Sequence, residues 1–173
     1  MKINDEHLSA IRTLLPEKDR QKFIDNCIKK GLNELKASKA EVIEIFTDGG
    51  SRGNPGRAGG GFAIYQGGKL IKKGSEFFGE KTNNQAEYLA LRLALREAYE
   101  QFSECKINCF MDSQLAVEQM NGNYKVKSEN VKPLYEEVRR IADQFKAFTI
   151  THVRREKNKV ADELANQAMD RGR

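Results

Sequence analysis

Two periodicities divide the chain. Up to residue 40, apolar positions recur every three or four residues within a strongly charged run, and Ile24, Ile28, Leu32 and Leu35 fall on one helical stripe. Pro16 interrupts this run. The spacing therefore predicts two helices, over "DEHLSAIRTLL" and "EKDRQKFIDNCIKKGLNELKAS", and a short linker at Ala37–Ala40. From Glu41 the pattern changes. "VIEIFT", "GGFAIYQ" and "KLIKKGSEFFGE" read as three strands, the last two joined by a glycine-rich hairpin turn at Gln66-Gly67-Gly68. "NNQAEYLALRLALREAYEQF" reads as a long helix, with Leu89, Leu93, Ala90 and Ala94 on one side. A strand "KINCFMDS", a short helix "QLAVEQM", a helix "NVKPLYEEVRRIADQF" with Pro133 in its first turn, a strand "AFTITHV" and a helix "KVADELANQAMD" follow. The order β-β-β-α-β-α-α-β-α predicts an α/β fold: a meander of three strands, then helix-linked strands, in a mixed sheet covered by helices. Two units are expected, a helical extension over 1–40 and a sheet domain over 41–173.

Composition narrows the class. With 39% hydrophobic and 32% charged residues the chain reads as an ordinary water-soluble domain. No apolar run nears the roughly 20 residues that span a bilayer, and the acid-broken N-terminus is unlike a secretory signal. Cys27, Cys105 and Cys109 form no CxxC, and His7 and His152 are the only histidines. A disulfide framework or zinc site is not expected, and a cytoplasmic location is. The formal charge of +5 favours a polyanionic partner, although a basic surface without one accounts for it equally.

Four acids then stand out by position. Asp48 and Asp112 each follow a strand, where sites form in sheets of this kind. Glu87 and Asp162 fall in the expected first turns of helices, whose N-termini favour negative charge. Each has a local alternative. Asp48 suits an Asx turn, Asp112 a helix cap, Asp162 a helix start, and Asn84 to Glu87 has capping-box spacing. If the topology gathers all four, their repulsion calls for a cation, and hard oxygen ligands favour Mg²⁺ or Mn²⁺.

The segments "TDGGSRGNPGRAGGGFAI", "TNNQAEYLAL", "MDSQ" and "NKVADELAN" resemble, in order and spacing, the four signature segments of type 1 ribonuclease H. The resemblance covers roughly residues 41–169 and leaves 1–40 unmatched. It implies the ribonuclease H-like five-stranded sheet, an antiparallel meander plus two parallel strands. It also implies an endonuclease that hydrolyses the RNA strand of RNA–DNA hybrids with two metal ions, leaving 5′-phosphate and 3′-hydroxyl ends. The implied metal ligands and catalytic residues are Asp48, Glu87, Asp112 and Asp162, with two Mg²⁺ or Mn²⁺ ions per site. The implied substrate contacts are the backbone at Gly49, Gly50 and Ser51 and the side chains of Asn54, Asn83, Asn84 and Gln114. Pro55 and Gly56 fit plain turn chemistry as well.

The chain also departs from the family. Many members carry a histidine on a loop before the last acid, whereas His152 falls within a predicted strand. Others carry a basic, tryptophan-rich protrusion, but this chain has no Trp and only Lys125 and Lys127 in the corresponding short stretch. Grip on the hybrid then comes from elsewhere. Residues 1–40 hold nine Lys/Arg against six acids, hence +3 of the chain's +5. That extension either contacts nucleic acid, docks a protein partner through its Leu/Ile stripe, or packs as a stabilising hairpin. Two other readings of the whole stay open, a metal nuclease for double-stranded RNA and a non-catalytic nucleic-acid-binding module.

Overall fold

The computed structural model describes residues 13–38 and 42–172 and divides the chain into two compact units at Ala40 and Glu41. In the first unit, Pro16 opens helix α1 (Glu17–Ser38). Glu17 and Asp19 lie in its first turn, where the helix dipole favours acids, and the Asp19 amide donates to the Pro16 carbonyl. The helix includes Ala37 and Ser38, the first two residues of the expected linker, and Ala is the strongest helix former. Residues 5–12 of the other predicted helix, and the Leu32 and Leu35 side chains of the stripe, lie outside what is described.

The second unit is a five-stranded sheet in the order β3-β2-β1-β4-β5, built from β1 (Val42–Gly53), β2 (Gly56–Gln66), β3 (Lys69–Lys81), β4 (Lys106–Met111) and β5 (Ala147–His152). β1, β2 and β3 pair antiparallel, and β4 and β5 pair parallel. Gly67 and Gly68 make the hairpin turn with φ of 59° and 77°, as a two-residue turn matched to strand twist requires. The helices are α2 (Asn83–Phe102), α3 (Gln114–Met120), α4 (Lys132–Ala142) and α5 (Lys159–Arg171), with a 3₁₀ turn at Arg155–Lys157. The mixed sheet and element order match the sequence reading.

Alternation along β1 sends Ile43 and Ile45 to one face, where they join Leu91, Leu95, Ile107, Met111, Val117 and Val138 in the main core. Such fully buried side chains each contribute about 1.5–3 kcal/mol. The charge cluster of Arg92 and Arg96 on α2 with Glu137 on α4 closes the outside of this layer. Near Asp48 the sheet is covered differently. A Cβ on Gly61 or Gly59 would strike α5 at Ala161 and Ala168, and a Cβ on Gly49 would strike α2 at Ala86. Glycines here let two helices approach the strands at backbone distance, one from each face.

This contact corrects three expectations. β1 does not end at Asp48. It runs on to Gly53, with Asp48 opposite Gly61 and Gly49 opposite Gly60. The turn expected around Pro55 is there, at Asn54 and Pro55 between β1 and β2, while Gly49 and Gly50 before it are strand residues. Asp48 does stand just past the end of the parallel ladder, whose last pair is Thr47–Met111. Glu87 lies in the second turn of α2, since Thr82 and Gln85 form the capping box, two residues before the alternative Asn84–Glu87 pair. That frees the Glu87 carboxylate from any capping role.

Candidate active site

Two strands and two helices deliver four acids to one cleft. Parallel pairing places the residues after Thr47 and Met111 side by side, so Asp48 and Asp112 emerge together. Ser113, rather than Asp112, caps α3 by accepting from the Ala116 amide, which leaves the Asp112 carboxylate to the cleft. Close packing of α2 on Gly49 brings in Glu87, whose Oε2 accepts from the Gly49 amide at 3.2 Å. Asp162 enters from the first turn of α5.

Asp48, Glu87 and Asp112 each offer an oxygen within 4.8 Å of the others. Burial and the neighbouring charges of Asp112 and Asp162 push the Asp48 carboxyl up to about 7, with Arg155 opposing the shift. Glu87, 6% exposed, is pushed well above its ordinary value by burial, then by Asp48 and Asp112. Like charges gathered this far from water are costly unless a cation sits among them. An all-oxygen, all-carboxylate donor set fits a hard divalent ion such as Mg²⁺ or Mn²⁺. Asp162 lines the same cleft outside that trio, and its Oδ1 accepts from Arg155, an arginine seven residues earlier.

The cleft has a volume of about 370 Å³ and is also lined by Gly49, Gly50, Ser51, Arg52, Asn83, Arg155, Asn166 and Met169. Of the expected substrate contacts it thus gathers Gly49, Gly50, Ser51 and Asn83. The amides of Gly49 and Ser51 are already bonded, to Glu87 and to Asn83 Oδ1 at 3.2 Å. Asn54 stands at the rim, its Oδ1 accepting from the Asn83 amide at 3.1 Å. Asn84 is exposed in a shallow depression beside Ser113, and Gln114 is exposed at the start of α3, outside the residues lining the acid cleft. His152 lies in β5, as the strand pattern implied, and is exposed at its end.

Arg155 and Asn158 were not singled out from sequence. Both sit within ten residues of Asp162, and Asn158 opens the quoted segment "NKVADELAN". Their distance from the other acids along the chain hid their role.

Residues 46–168 match the family model described as reverse transcriptase-like. The bifunctional protein Rv2228c of Mycobacterium tuberculosis is 39% identical over 130 residues, 74% of this chain and 35% of that protein, so this chain spans about a third of that relative's length. A ribonuclease H of Hydrogenovibrio crunogenus is 34% identical over 145 residues, 75% of this chain and 97% of the relative. The solved LC11-RNase H1 in complex with RNA/DNA hybrid is 40% identical, superposes with a TM-score of 0.72, and the match covers 75% of this chain and 98% of that one. With four acids reaching one cleft from the same four segments, the chain belongs to the type 1 ribonuclease H family.

Proposed function

We propose that this protein is a metal-dependent endonuclease that hydrolyses the RNA strand of RNA–DNA hybrids, leaving 5′-phosphate and 3′-hydroxyl ends. The observation that carries the reading is the trio Asp48, Glu87 and Asp112, with oxygens within 4.8 Å and two members pushed toward the protonated form. A family neighbour solved with an RNA/DNA hybrid supports the substrate class. These three acids and Asp162 would hold two Mg²⁺ or Mn²⁺ ions. When bound, such ions activate the attacking water and offset charge on the leaving oxygen.

The chain's own residues do the rest. The Gly49 amide holds Glu87 in place. Asn54 and Asn83 spend their side-chain oxygens bracing the β1–β2 turn against α2. Each keeps its amide nitrogen as the end that can meet a 2′-hydroxyl, the group that distinguishes RNA from DNA. Arg155 balances Asp162 at the mouth of the cleft. Three cysteines without a disulfide fit a reducing cytoplasm. No helix among the described residues is long and apolar enough to cross a membrane.

The test is cleavage of matched, end-labelled RNA–DNA, RNA–RNA and DNA–DNA duplexes by the purified full chain with Mg²⁺ or Mn²⁺. The expected result is cutting of the RNA strand of the hybrid with 5′-phosphate products. No cutting with either ion overturns the reading, and preferential cutting of RNA–RNA assigns the site to double-stranded RNA.

Ion binding is expected to depend on pH. Below about pH 7 the Asp48 carboxyl carries a proton in the ion-free protein. An ion must displace that proton, and any held by Glu87, so apparent affinity falls by at least about tenfold per pH unit below this point. Mn²⁺ titration calorimetry from pH 5.5 to 8.5 would register this, and a flat profile would refute it.

Residues 1–40 are proposed to add grip on the polyanionic substrate through their surplus of basic residues. Deleting residues 1–38 is expected to weaken hybrid binding and flatten its salt dependence while turnover at saturation is kept. Unchanged affinity and salt slope with a lower Tm would assign the extension to packing instead, and loss of an interaction partner to docking.

A further inference from the structure

Asn158 lies where the segments bearing three of the four acids meet. The residue is 1% exposed. Its Nδ2 donates to the Thr47 carbonyl at 2.9 Å and to Asp112 Oδ1 at 3.4 Å. Thr47 ends the parallel ladder and directly precedes Asp48. The Asn158 carbonyl accepts from the Asp162 amide at 3.1 Å, which starts α5, and the Asn158 amide donates to the Arg155 carbonyl at 2.9 Å. One residue thus ties β1 at Asp48, the Asp112 carboxylate and the helix turn that carries Asp162.

The orientation of the amide is determined by its neighbours. Turned round, Oδ1 would face a carbonyl and a carboxylate, two acceptors against an acceptor. As placed, Oδ1 is buried with no hydrogen-bond partner in the protein. An unpaired buried oxygen costs stability, so the residue is kept for its donor end. The donor end is shared: it satisfies the Thr47 carbonyl beside Asp48 and reaches Asp112, so one amide spans the ends of both acid-bearing strands.

We propose that Asn158 is a positioning residue of the ion centre. It holds Asp112 and the entry to α5 against Asp48, so that the carboxylate oxygens stand at ion-binding spacing before an ion arrives. This rests on the metal-dependent reading above. A partner behind a ligating carboxylate restricts its rotation, and its loss weakens ion binding even though it touches no ion.

The test uses the full-length protein without substrate. In Asn158→Ala, Mn²⁺ affinity by calorimetry is expected to fall roughly ten- to hundredfold. kcat on hybrid should fall at limiting Mn²⁺ and partly recover at high Mn²⁺, with KM for hybrid little changed. Asn158→Asp keeps the shape and loses the donor, so it should do no better than Asn158→Ala. A folded variant of either kind with wild-type Mn²⁺ affinity overturns the proposal, as does a lower Tm with no change in affinity. Should neither variant fold, the wild-type protein still decides. The Asn158 side-chain amide proton resonances should shift as Mg²⁺ is added, and resonances unmoved at saturation overturn the proposal. Wild-type protein that binds neither ion removes the metal-dependent reading and this inference together. Wild-type binding with unaffected variants removes this inference alone.

Discussion

Replacing Asp48 with asparagine is expected to abolish hybrid cleavage and, at the same time, to stabilise the ion-free protein at neutral and alkaline pH. Asparagine keeps the shape but removes the charge an ion requires, at a residue whose carboxylate lies within 4.8 Å of both Glu87 and Asp112. Loss of an ion ligand should exceed the roughly 10–100-fold typical of partners behind a ligand, so a drop of at least about a thousandfold is expected. The stability effect follows from the raised carboxyl at about 7, against 3.8 for an ordinary aspartate. A folded-state value raised above the unfolded one gives stability that is fully present below about pH 4 and is lost as pH rises to about 7. The loss is about 1.4 kcal/mol for each unit of difference. Asparagine has no such loss. Its Tm should exceed wild type at pH 8 in EDTA by several degrees, at about 2–4 °C per kcal/mol for a chain of this size. The gain should vanish at pH 4 and shrink when Mg²⁺ is added to the wild type. Cleavage near the wild-type rate would refute the role of Asp48 as an ion ligand. A lower Tm at every pH would mean that its carboxylate is structural.

Gly49→Ala is expected to be among the most damaging substitutions in the molecule, although it adds one methyl group. That methyl would lie 2.2 Å from the Ala86 carbonyl oxygen and 2.5 Å from the Glu87 amide nitrogen. Both are helix backbone atoms, so no rotamer change relieves the clash. Either α2 lifts from β1 or the strand buckles. Overpacking of this kind costs typically 1–3 kcal/mol and more where backbone must move, so about 3 kcal/mol is expected here. The displaced helix carries Glu87, and the Gly49–Glu87 hydrogen bond goes with it. Ion affinity should therefore fall along with Tm. Gly50→Ala is the control for stability: its methyl would meet nothing nearer than the Met169 side chain at 3.5 Å, an ordinary contact. Equal Tm for Gly49→Ala and Gly50→Ala would contradict the close approach of α2.

Much of this architecture was legible along the chain, because the signals are local. Period-two and period-three-to-four patterns identified the strands and helices from Glu41 onward in their observed order. Two glycines identified the β2–β3 turn, since few other residues tolerate a positive φ there. The four acids were marked by the segments around them, and all four line the cleft. Each of these features depends on residues only a few positions apart.

What escaped depends on partners distant in the chain. Asp48 looks like the end of its strand until β2 supplies Gly59, Gly60 and Gly61 opposite Gly50, Gly49 and Asp48, and α2 presses so close to Gly49 that a Cβ has no room. Glu87 looks like half of a capping box until the Gly49 amide, 38 residues away, claims its carboxylate. Asp162 looks like a helix-start acid until Arg155 and the other carboxylates surround it. Asn158 looks like a helix cap, yet its side chain makes no cap bond and reaches Thr47, 111 residues away, and Asp112, 46 residues away. Local pattern names the element and the residue type. The charge state of a carboxylate depends on how much water and how many other charges surround it, and folding alone brings those together.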